Sequence, residues 1–111
     1  MCRALKVLCA AVTGDRLAEL KRAAVSAHWE LVGGATSLSE LLLQVMDERP
    51  DVVVIHRALG QEAVAAVRRV DQSVRIVGVG ELLGVDETAQ SMEHIRETIL
   101  GLPRPGGPVR G

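Results

Sequence analysis

The chain has 111 residues, the size of one domain, and 48% of them are apolar, which excludes a disordered segment. Its 13 basic and 14 acidic residues give a formal net charge of −1, so it has no basic excess with which to grip nucleic-acid phosphates. No stretch is long and apolar enough to span a bilayer, and Lys6, Asp15, Arg16 and Lys21 break any signal-peptide pattern near the start.

Residues Ala4 to Ala11 read as a strand, because Leu5, Val7, Leu8 and Cys9 form a nearly continuous apolar run. Cys9 is read as a small buried hydrophobe. Cys2 and Cys9 form no CxxC, a usage that fits a reducing, cytoplasmic setting. Val12-Thr13-Gly14 is a turn, with Thr13 or Asp15 available to cap a helix carrying Leu17, Leu20, Ala24 and Ala27 on one face.

A second strand is predicted from Trp29 to Ala35, ended by Gly33-Gly34. Trp29 serves either as an exposed anchor or, on the plainer reading, as a ring packed under the adjacent helix. Ser37 and Glu40 form a capping-box pattern before Leu38, Leu41, Leu42 and Val45, and Pro50 stops that helix. Val52-Val53-Val54-Ile55 is four β-branched residues in a row and reads as the central strand, ended by His56.

Ala63, Val64, Val67 and Val70 line a third helix, and Val74 to Val79 form a fourth strand. Residues 81 to 85 read as a loop or short turn, with a fifth strand within 81–90 left open. Met92, Ile95, Ile99 and Leu102 share a helical face, which predicts a helix from Glu87 to Leu100, ended by Gly101 and Pro103. The domain then covers residues 1–102, and the Pro/Gly-rich segment 103–111 reads as a tail or linker.

Alternating strands and helices predict an α/β doubly wound parallel sheet of the flavodoxin type, in order 2-1-3-4, with any fifth strand outside the fourth. Chemistry in such folds sits at the carboxyl ends of the strands, beside the switch point. The residues there are Ala11, Val12, Thr13, His56, Leu59 and Gly80. No nucleophile and base pair is recognisable among them, so no catalytic residue and no enzyme activity are expected. His28, His56, His94, Cys2 and Cys9 lack metal-ligand spacing, and Gly78 and Gly80 lack the rest of a nucleotide loop, so no metal or cofactor is expected.

The segments Leu5-Lys6-Val7-Leu8, Trp29 to Ala35 with Ser37-Leu38-Ser39-Glu40-Leu41, and Arg49-Pro50-Asp51-Val52-Val53-Val54-Ile55 together resemble a response-regulator receiver domain over residues 4–80. The resemblance implies an acidic pair after strand 1, a phosphoacceptor Asp after strand 3, a Thr or Ser after strand 4 and a Lys after strand 5. The matching positions are Ala11 and Val12, then His56, then Gly80, with no match for the Lys. The segment after strand 4 is also some twenty residues shorter than is typical of the family. Magnesium wants carboxylate oxygens, which Ala11 and Val12 do not offer, while Asp15 reads as a helix cap. His56 is either a pH-sensitive or phosphoacceptor group or, on the plainer reading, a strand-end histidine bonded to backbone.

The resemblance therefore implies a pseudo-receiver that has lost its phosphorylation chemistry. Such a domain would act through protein contacts in bacterial signalling or protein localisation. Homodimerisation is expected through Met92, Ile95, Ile99 and Leu102 or through an exposed strand-4 edge. One alternative is the atypical receiver that precedes the ATPase of pilus-assembly localisation proteins. Another is a small-ligand sensor with a neutral crevice lined by Val12, Thr13, His56 and Leu59.

Overall fold

The structure is a computed structural model, and it describes residues 5–102. In chain order it contains β1 (Leu5–Ala10), α1 (Gly14–Ala24), β2 (Trp29–Leu31), α2 (Leu38–Glu48), β3 (Val52–His56), α3 (Gln61–Val70), β4 (Arg75–Val79), β5 (Glu87–Ala89) and α4 (Ile95–Leu100). Short 3-10 turns at Arg57–Leu59 and Met92–His94 follow β3 and precede α4. The predicted tail 103–111 lies outside the described residues. No described helix is long and apolar enough to cross a membrane.

All strand pairs are parallel, and the sheet order is β2-β1-β3-β4-β5. This is the doubly wound order expected from the sequence, with the fifth strand present. Successive side chains along a strand point to opposite faces, so a continuous apolar run feeds two cores at once. Val7, Cys9, Val52, Val54 and Val77 pack with Leu20 and Ala24 of α1 and with Ile95 and Ile99 of α4. Leu8, Val53, Ile55 and Ile76 pack with Leu41 and Val45 of α2 and with Ala63, Val64 and Val67 of α3.

Local chemistry explains where the helices begin. The Thr13 hydroxyl accepts from the Arg16 N–H at 3.1 Å and caps α1. The Ser37 hydroxyl accepts from the Glu40 N–H at 3.2 Å, and Glu40 reaches back to the Thr36 N–H at 2.8 Å. At the other end of α2, Arg49 takes the left-handed conformation at φ 48°, just before Pro50.

Three boundaries differ from the sequence expectation. The predicted helix 87–100 begins later, because Glu87, Thr88 and Ala89 pair with Val77, Gly78 and Val79 and complete the sheet. The second strand is three residues long, since Gly33 turns the chain at φ 55° before Ala35 rejoins beside Ala10. The first helix ends at Ala24, which leaves Ala27 exposed beyond it.

The β4–β5 connection is the fold's main irregularity. A parallel crossover ordinarily takes about a dozen residues or more and usually includes a helix. Here residues 80–86 suffice, without a helix. Side chains hold the loop instead. One Asp86 carboxylate oxygen accepts from the Ile76 N–H and from Arg68, both at 2.7 Å, while the Asp86 N–H donates to the Ile76 carbonyl at 2.9 Å. Arg68 also donates to the carbonyls of Val74 at 2.7 Å and Gly84 at 3.3 Å. The Gln61 amide accepts from the Leu83 N–H at 2.8 Å and donates to the Leu83 carbonyl. Leu82 and Val85 then cover the α2 and α3 side of the sheet, closing over Gly78, where an added Cβ would lie 3.2 Å from Val85.

Candidate functional site

The switch point lies between β1 and β3, at their carboxyl ends. Register brings Ala10 beside Ile55 and His56 beside Val79. The residues just past these strands, Ala11, Arg57 and Gly80, therefore emerge at one end of the sheet.

Each expected site residue has a definite position there. Ala11 is fully buried, and its N–H donates to the Ala35 carbonyl at 3.0 Å. Val12 turns outward and is 48% exposed. Thr13 is committed to capping α1. Leu59 is half-buried against the α2 and α3 core. His56 is half-buried at the end of β3, and its Nδ1 accepts from the Ala58 N–H at 3.2 Å. That bond places the proton of the neutral ring on Nε2 and leaves a donor there.

Gly80 meets a demand that other residues cannot. Its φ is +94°, and an added Cβ would come within 2.6 Å of the Arg57 Cδ. The aliphatic stem of Arg57 thus lies across Gly80, at the position where the receiver resemblance implies a hydroxyl. Among the described residues, Arg57 has no carboxylate partner.

Charged side chains, Arg16, Arg57 and Glu19, act on His56 at the switch point. Partial burial lowers the pKa of His56 below the usual imidazole range, and the charges of Arg16 and Arg57 lower it further against a smaller opposing effect of Glu19. Arg16 is itself paired with Glu19 at 3.1 Å on the exposed face of α1. The sequence reading singled out neither Arg16 nor Arg57 as a site residue. The available signal was the dipeptide His56-Arg57, directly after the central strand. Among the described residues, no three His, Cys, Asp or Glu side chains converge in a way that could hold a metal ion.

Both surfaces expected to mediate dimerisation are occupied within the fold. Ile95 and Ile99 are 0% and 2% exposed in the core against α1, and Met92 and Leu102 pack on the same core. The apolar face of the last helix is therefore used internally. The strand-4 edge is covered by β5. Trp29 takes the plainer of its two readings: the residue is 7% exposed, and its Nε1–H donates to the Ala24 carbonyl at 2.7 Å. Cys9 is buried, which pushes its thiol pKa up to about 12. An open hollow of about 430 Å³ lies by the β4–β5 loop, lined by Gln61, Glu81, Leu82, Leu83 and Thr88 and by none of the switch-point residues.

No protein-family model matches the chain, and no curated protein matches it by sequence. Among solved structures, the chain is similar to the response regulator domain of Thermotoga maritima CheB, at 16% identity and a TM-score of 0.67. The match covers 91% of this chain and 100% of that one. At that identity the likeness concerns architecture, and the chain has the five-stranded α/β fold of a receiver domain.

Proposed function

We propose that the chain is a receiver-like regulatory domain that works through contacts with other proteins and does not carry an aspartyl phosphate. The observation that carries this reading is the composition of the strand ends. Ala11 and Val12 follow β1, His56 ends β3, and Arg57 lies over Gly80 after β4. Acyl-phosphate chemistry needs a carboxylate to accept the phosphoryl group and a hard cation to neutralise it. The Ala11 and Val12 side chains offer that cation no oxygen. The same lack of an activated nucleophile argues against enzyme activity. Homodimerisation loses the two surfaces expected for it, so the reading rests on contacts with other proteins.

The test is incubation of the full chain with acetyl phosphate and magnesium, followed by intact mass measurement. A parallel heteronuclear NMR titration uses beryllofluoride and magnesium. The expected result is an unchanged mass and no magnesium-dependent shifts at Val12, His56 or Gly80. A stoichiometric phosphoryl adduct overturns the reading. The variant His56→Asp is also expected to stay unlabelled, because a carboxylate at that position still lacks metal ligands after β1.

A further inference from the structure

The segment 80–89 is attached to the sheet differently from the central strands. Leu8, Val53 and Ile55 are fully buried, whereas of residues 80–89 only Ala89 is buried. Leu82 and Val85 are half-buried against the α2 and α3 core, and Leu83 is 78% exposed. Apolar burial therefore supplies little of the hold. Polar side chains supply the rest. Asp86 accepts from the Ile76 N–H and from Arg68, with Arg75 3.7 Å from its second oxygen. Gln61 engages both backbone groups of Leu83. The chain on either side is fixed independently. β4 is buried and paired with β3 along its whole length. α4 is anchored by Ile95 and Ile99 in the core and by Arg96, which donates to the Val25 carbonyl at 2.6 Å and to the Arg22 carbonyl at 3.1 Å. Gly80, at φ +94°, forms a hinge at one end, and the exposed Gln90 lies just past the other.

We propose that residues 80–89 form a strap that opens as a unit from the folded domain when the Asp86–Arg68 and Gln61–Leu83 contacts break, while β1 to β4 and α4 stay in place. Segments with few buried apolar side chains and solvent-accessible hydrogen bonds open at a fraction of the global unfolding free energy. The strap has both properties, and the anchors on each side set its boundaries. Opening unpairs the outer edge of β4 and uncovers Gly78, over which Leu82 and Val85 close. An unpaired strand edge is a template for a further strand, so the strap gates that edge. The device does not depend on whether the domain is phosphorylated.

The test is native-state hydrogen exchange of the full chain, followed amide by amide by NMR in increasing but sub-denaturing urea. The N–H groups of Ile76, Gly80, Leu83 and Asp86 report on the strap, because their acceptors are the Asp86 carboxylate, the Ala89 carbonyl, the Gln61 amide and the Ile76 carbonyl. Relative to their intrinsic rates, they should exchange at least about tenfold faster than the β1 and β3 amides, with a smaller urea dependence. Asp86→Ala should accelerate all four by at least about tenfold. Val45→Ala, in the core beneath α2, should accelerate the β1 and β3 amides by at least about fivefold and leave the four reporters unchanged, since Val45 keeps its contacts when the strap opens. Reporters that share the rates and urea dependence of β1 and β3 overturn the proposal, because the segment then opens only with the whole domain. Equal acceleration of both sets by Val45→Ala overturns it for the same reason. Reporters that Asp86→Ala leaves unchanged, or that show no protection in the wild type, overturn it by showing that the polar contacts do not hold the segment closed.

Discussion

The β4–β5 connection and the end of β3 sit on neighbouring strands but use charge in opposite ways. In the connection, Asp86, Arg68 and Gln61 are bonded to backbone groups that a missing crossover helix leaves to be held by other means. At the end of β3, Arg57 lies across a glycine and bonds to no carboxylate among the described residues. The first set of charges carries structure. The second carries little structure.

That contrast is sharpest in mutants of Asp86. Asp86→Ala removes a charged acceptor shared by Arg68 and the Ile76 N–H, and should cost about 2–3 kcal/mol in urea unfolding. Burial raises the Asp86 pKa, but the Ile76 N–H, Arg68 and Arg75 outweigh that effect and hold it below 3.8. Its contribution is thus complete above the unfolded value and is lost as pH falls through the lower folded value. Wild-type stability should therefore drop below about pH 4, and Asp86→Asn should flatten that drop.

Arg68→Ala should cost about 2 kcal/mol by freeing the Val74 and Gly84 carbonyls together with Asp86. A double-mutant cycle with Asp86→Ala should return a coupling of about 1 kcal/mol. Strict additivity would show that the loop does not depend on this pair. Gly80→Ala should cost about 1 kcal/mol, from the positive φ and from displacement of the Arg57 stem. Arg57→Gln should change stability by less than about 0.5 kcal/mol. A loss as large as that of Arg68→Ala would erase the distinction between the two regions.

The sequence was most legible where burial leaves a simple record. Val52 to Ile55 announces a central strand because both of its faces need apolar side chains, and Ser37 with Glu40 announces a helix start because the unpaired N–H groups need acceptors. The fifth strand left no such record. Of Glu87, Thr88 and Ala89 only Ala89 is buried, and the strand exists because Val77 to Val79 offer it a ladder. The last helix showed its apolar face correctly, but periodicity alone does not say whether a face turns toward the chain's own core or toward a second molecule. Ile95 and Ile99 turn inward. The site was legible in what its strand ends lack and illegible in its charge, because the position of Arg57 depends on its packing against Gly80, which is distant in sequence.

The packing of Trp29 makes the molecule convenient to observe. With one Trp and no Tyr or Phe, the chain has a single strong near-ultraviolet chromophore. That indole is buried where α1 hands over to β2, with its N–H on the Ala24 carbonyl and the His28 ring centroid 6.4 Å away. Its emission wavelength reports the docking of one corner of the sheet, with no competing fluorophore to subtract. An optical unfolding curve therefore follows that corner, and agreement with far-ultraviolet circular dichroism would show that the β4–β5 half melts with it.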